Sequence, residues 1–122
     1  MFKSTGSLLF LVLFHLLLSF NSGGHLKFAN GLIAKDKWCV ANPLSNDTVL
    51  KNNIEYACNI LSDCKLIQPG GSCYEPNKLM HHASAVMNQY YAMEGRNTWN
   101  CNFFGSGLLV SKDPSYGSCE YA

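Results

Sequence analysis

Aromatic rings crowd together with amide and guanidinium groups in one stretch of this 122-residue chain, YYAMEGRNTWNCNFF at residues 90–104. Exposed rings stack on apolar C–H faces, and nearby amide or guanidinium groups hydrogen-bond to hydroxyls. That combination suits a ligand with apolar faces and polar edges, as a sugar ring has. The candidate binding residues are Tyr74, Tyr91, Arg96, Trp99, Asn100, Phe103 and Tyr116. Trp99 follows polar residues in a loop, where binding residues concentrate. Tyr90 continues the helical stripe of Leu79, Ala83 and Met87 and is assigned to the core. Tyr91 points elsewhere on the same helix and is the better stacking platform. Trp38, next to Cys39, is assigned to the core, and Asp113 before Pro114 to a turn.

The residues argue against catalysis. Glycoside hydrolysis needs two carboxylates at a set separation in a cleft, whereas the eight acidic residues here are scattered singly. No serine sits in a nucleophile elbow, and paired cysteines cannot attack. A metal site is not expected: there is no C-x-x-C pair, and the adjacent His81 and His82 fit a helix with one ring inward and one outward. No cofactor is implied. Once Lys3 is set aside, eight basic side chains match eight acidic ones without a basic run. That balance gives no support for nucleic acid as a partner. Asn46-Asp47-Thr48 is an N-glycosylation sequon.

The positioning elements follow from pattern. Lys3 precedes an apolar run from Leu8 to Phe20, then small residues, as in a secretory signal peptide cut near Gly24 or as late as Ala29. The run is short for a membrane span. With no lipid-anchor signal at the C-terminus, a secreted protein is expected. Residues 25–37 read as a flexible leader, and 38–122 as the folded module. All six cysteines (39, 58, 64, 73, 101, 119) fall after the signal, an even number that reads as three disulfides whose pairing spacing alone leaves open. Leu50, Ile54, Ala57, Cys58 and Leu61 mark a helix of about fifteen residues, with Asn46 or Asp47 as N-cap and an end before Cys64. Pro69-Gly70-Gly71 forces a tight corner. Leu79, Ala83, Val86, Met87 and Tyr90 mark a second helix, with Asn77 as cap and Gly95 as stop. CNFFGSGLLVS reads as a β-hairpin and DPSYGSC as a closing turn. The expected fold is α+β: two helices packed on a small antiparallel sheet and stapled by three disulfides.

The ordered words WCVANP, YAC, DC, IQPGGSCYEPN, HAS, MNQYY, GR, WNCNFFGSGLLV and DPSYGSC, with their cysteine spacing, resemble the plant family 43 carbohydrate-binding module. That module occurs in the tails of plant β-1,3-glucanases, in olive-pollen-type allergens and in plasmodesmal callose-binding proteins. The resemblance runs from Trp38 to Cys119. It implies the pairing Cys39–Cys101, Cys58–Cys64 and Cys73–Cys119. The corner would then hold Tyr74 beside DPSYGSC, with the Tyr116 ring free to cover the last bridge. It also implies a non-catalytic, monomeric domain that binds β-1,3-glucan of callose or laminarin type in the cell wall or apoplast, or at plasmodesmata. Unlike in many relatives, neither a glycosidase domain ahead of the module nor an anchor tail behind it is expected. The alternative function is a disulfide-stapled protein-interaction or defence module that holds no sugar. A lipid carrier is disfavoured, since the eight-cysteine pattern with adjacent cysteines is missing.

Overall fold

In the computed structural model, residues 36–122 are described; the expected signal segment and the leader up to residue 35 lie outside them. Helix α1 spans Asp47–Leu61 and starts as the sequence predicts. Asn46 is extended, and its Oδ1 accepts the Val49 N–H at 2.9 Å. Asp47 adds a negative charge to the first turn, where the helix dipole favours it. Leu50, Asn53 and Ala57 form the buried stripe, and the helix stops at Ser62 in the left-handed region (φ 69°).

A disulfide between Cys58 and Cys64 ties the helix to its exit. A 3-10 turn at Lys65–Ile67 then leads into the corner. Gly70 supplies φ 87°, while Gly71 supplies space: a Cβ there would lie 2.1 Å from the Lys65 carbonyl oxygen. Cys73 N–H donates to the Leu66 carbonyl at 2.8 Å, which closes the corner.

Helix α2 spans Leu79–Met93 and begins at Lys78 without a side-chain cap. The expected cap, Asn77, instead donates from Nδ2 to the Tyr74 hydroxyl at 3.0 Å. Its register brings it to the tyrosine rather than to the α2 N–H groups. Ala83, Ser84, Ala85, Val86, Met87, Asn88 and Tyr91 of α2 are all buried. Consecutive buried positions cannot share one face of a helix, so α2 is covered on several sides. It packs on α1 and on strand β1, Trp38–Ala41. Leu50, Met87, Tyr91, Ala83 and Ala41 form the main core with the Cys39–Cys101 bridge; Trp38 is half-buried.

Strand β1 pairs antiparallel with β2, Gly107–Val110, in the register Trp38↔Val110 to Ala41↔Gly107. The local hairpin expected over residues 101–111 does not form. Phe103–Gly105 makes a 3-10 turn instead, and β2 finds its partner at the other end of the domain. The Cys39–Cys101 disulfide, with Cα atoms 5.6 Å apart, holds residue 101 beside β1, so the strand that follows meets β1 first. The other side of β1 is satisfied by α2: Asn88 Oδ1 accepts the Cys39 N–H at 3.0 Å, and Ser84 Oγ accepts that of Ala41 at 2.9 Å. These two buried polar side chains complete the hydrogen bonding of a two-stranded sheet that would otherwise bury bare donors. Cys73–Cys119 fastens the C-terminal turn, where Asp113 Oδ1 accepts the Ser115 N–H at 2.9 Å. All three disulfides follow the pairing that the family resemblance implies. The resulting α+β fold is two α-helices, among the described residues, against a small antiparallel sheet.

The Cys39–Cys101 and Cys73–Cys119 links close long loops. Each restricts the unfolded chain by about 4 kcal/mol on a chain-entropy account, against about 2 kcal/mol for the short Cys58–Cys64 loop. A domain with so small a core depends on the long-range pair.

Candidate functional site

On α1, Val49, Asn53 and Tyr56 stand at spacings of four and three residues, a stripe that runs from half-buried Val49 through buried Asn53 to exposed Tyr56. This stripe, with Asn52, forms one wall of a groove of about 560 Å³. The opposing residues are Tyr90 from α2 and Trp99, Asn100, Asn102, Phe103 and Phe104 from the loop that links α2 to β2. Tyr56, Trp99 and Phe104 are 52%, 63% and 104% exposed. These three rings are left largely open to water at the groove's surface.

The loop is held under backbone strain. Phe103 and Phe104 have φ values of 44° and 54°, a region that costs an ordinary residue about 1–2 kcal/mol. They sit between the bridged Cys101 and β2, which enforce the conformation. Strain of this kind collects at binding sites, where it aims side chains. Here Phe103 turns onto the core while Phe104 turns into water.

Inside the groove the rings meet edge to face. Tyr90 lies 5.5 Å from both Tyr56 and Phe103, at 66° and 68°, and Tyr56 lies 6.4 Å from Phe103 at 89°. The Tyr56 and Tyr90 hydroxyls are 3.4 Å apart. The hydrogen bond with Tyr56, then burial, push the Tyr90 phenol up to about 12, opposed weakly by the Asn100 side chain. Asn100 Oδ1 is buried without a hydrogen-bond partner. Among the described residues no Asp or Glu lines the groove, whose walls present aromatic rings and amide groups.

Because the raised phenol is Tyr90's neutral form held in the fold, its contribution to stability is present below pH 10 and is lost as pH rises from 10 towards 12. Tyr121, half-buried and also pushed up to about 12, first by burial and then by the nearby Tyr116, loses its contribution in the same window. The contribution of these two phenols should therefore be level up to about pH 10 and fall above it. In the Tyr56→Phe variant, a spectrophotometric titration should show the Tyr90 phenol ionising at lower pH than in the parent. An unchanged curve would mean that the two hydroxyls do not interact.

Of the sequence-predicted site residues, the structure brings Trp99, Asn100 and Phe103 together in the groove. Tyr91 is corrected: its ring is fully buried in the main core, and the neighbouring Tyr90 lines the groove instead. The apolar stripe read for α2 was too narrow, since β1 and α1 both cover the helix and draw Tyr91 inward. Arg96 lies over the Tyr91 ring at 5.8 Å and donates from Nη1 to the Lys37 carbonyl at 3.4 Å, which makes it a clamp on the core. Tyr74 and Tyr116 line a separate cleft with Gly70, Pro76 and Gly117. There Tyr74 stacks on His82 at 5.5 Å, and the Tyr116 hydroxyl donates to the Glu75 carbonyl at 3.0 Å. Tyr56 and Asn52 lie outside the aromatic stretch that the sequence singles out, whereas Phe104 lies within it. The first two were legible only as the exposed stripe beside the buried face of α1.

Residues 37–108 match the X8 domain family. Among curated proteins, the chain is 54% identical over 85 residues to a glucan endo-1,3-beta-glucosidase of Triticum aestivum, covering 70% of this chain and 18% of that protein. It is 44% identical over 86 residues to the major pollen allergen Ole e 10 of Olea europaea, covering 70% of each. It is 34% identical over 84 residues to plasmodesmata callose-binding protein 2 of Arabidopsis thaliana, covering 69% of this chain and 43% of that protein. The chain thus spans under a fifth of the glucosidase but most of the allergen's length. A match over most of the described residues, with a relative 44% identical and covered over 70% of its length, gives the assignment: the chain belongs to the X8 domain family of carbohydrate-binding modules.

Proposed function

We propose that this domain binds β-1,3-glucan of the callose or laminarin type without cleaving it, as a secreted component of the plant cell wall or its plasmodesmata. The observation that carries the reading is the groove of exposed rings beside amides, with no carboxylate in its lining. Rings stack on the sugar faces, and Asn52, Asn100 and Asn102 address the hydroxyls. The steep angles between Tyr56, Tyr90 and Phe103 make a walled channel rather than a flat pavement. A β-1,3-linked chain turns between sugars, whereas a β-1,4-linked chain runs as a flat ribbon, so the channel favours the former. The names of the callose-binding and endo-1,3-glucosidase relatives point to the same polymer.

Amide NMR spectra of the oxidised protein, recorded while laminari-oligosaccharides are added, test this. Saturable shifts centred on Tyr56, Tyr90 and residues 99–104, and absent with cello-oligosaccharides, are expected. A well-dispersed spectrum indifferent to every β-1,3-glucan would leave a protein-interaction module as the reading.

A further inference from the structure

The sequon Asn46-Asp47-Thr48 lies at the head of the helix that builds one wall of the groove, and all three residues are exposed. Asn46 uses only its Oδ1 for the cap, accepting the Val49 N–H. Its Nδ2, the atom that an N-glycan occupies, makes none of the cap's hydrogen bonds. A glycan there leaves the cap intact. Asn46 also stands three residues before Val49, the first groove residue on α1. Val49 is the α1 lining residue nearest the head of the helix, so the glycan's root stands about one turn from it, at that end of the α1 wall.

We propose that Asn46 carries an N-linked glycan that closes this end of the groove, so that the domain holds a short β-1,3-glucan segment or a chain end in preference to the middle of a long chain. The proposal rests on the glucan-binding reading of the groove. The modification forms a bond from Nδ2 to the anomeric carbon of a lipid-pyrophosphate-linked oligosaccharide. The bond from that carbon to the pyrophosphate oxygen breaks, the lipid pyrophosphate leaves, and Nδ2 gives up one proton.

The test uses the full chain expressed in plant cells. Mass spectrometry of the peptide that contains Asn46 should show a glycan on the parent and none on Thr48→Ala, which keeps the Asn46 cap. Binding is then measured for a β-1,3-linked trisaccharide and for long-chain laminarin. The glycosylated protein should bind the long chain about tenfold more weakly than Thr48→Ala does, a loss comparable to one stacked ring. Its affinity for the trisaccharide should match that of the variant. Enzymatic deglycosylation, which converts Asn46 to an equally competent aspartate cap, should restore long-chain binding in the parent. An unmodified Asn46 peptide, or equal long-chain binding by both glycoforms while glucan is still bound, would overturn the proposal alone. Failure of both forms to bind any β-1,3-glucan would remove the glucan reading and this proposal with it.

Discussion

A Trp99→Ala, Phe104→Ala double variant should fold as the parent does and lose about a hundredfold in affinity for laminari-oligosaccharides. Both rings are largely in water, at 63% and 104% exposure, so truncating them removes little packing. Each stacked ring is worth up to about 1.5 kcal/mol in a well-formed contact, and every 1.4 kcal/mol is a factor of ten. Losing two such contacts takes a modest binder close to the limit of detection. Tyr91→Ala should behave in the opposite way. Its ring is fully buried in the main core, and removing a large aromatic from such a site costs about 3–5 kcal/mol. Glucan binding would then fall only as far as the folded fraction does. Isothermal titration alongside thermal unfolding separates the two behaviours. Loss of binding in a fully folded Tyr91→Ala protein would mean that the groove is not the site.

Gly107→Ala is expected to prevent the native fold. A Cβ at Gly107 would lie 1.8 Å from the Cys101 carbonyl oxygen and 3.3 Å from the Cys101 sulfur. No side-chain rotation relieves a clash with backbone, so β2 must move away from Cys101. That movement breaks the pairing of Gly107 with Ala41 and the hydrogen bond from Gly107 N–H to the Asn102 carbonyl, 3.1 Å. It also disturbs the Cys39–Cys101 link, on which the placement of the Phe103–Phe104 loop depends. An effect above 4–5 kcal/mol, comparable to the whole stability of many small domains, is the consequence. Secreted Gly107→Ala should show mixed disulfides on peptide mapping and poor amide dispersion. Gly105 makes the control. It has φ 86° but open space around its Cβ position, so Gly105→Ala should cost only about 1–2 kcal/mol and leave the disulfides correct. If Gly107→Ala proved as mild as Gly105→Ala, the close approach of β2 to Cys101 would be wrong.

Several features were determined by the sequence alone because they depend on neighbours along the chain. The Asn46 cap, the length of α1, the corner at Gly70 and Gly71 and the turn at Asp113 are local, and each appears where its residues place it. The disulfide pairing was carried by the family words rather than by spacing. Tertiary structure decided what depends on distant contacts. The partner of β2 is β1, brought near by the Cys39–Cys101 bond rather than by a turn of its own. Tyr90 and Tyr91 are about 100° apart on α2, so which of them faces inward turns on how many sides of the helix are covered, and α1 and β1 together bury Tyr91. Tyr56 joins the site only because α1 docks beside the 98–104 loop. Helices and turns are short-range consequences of the chain, whereas a groove exists only where separate elements meet.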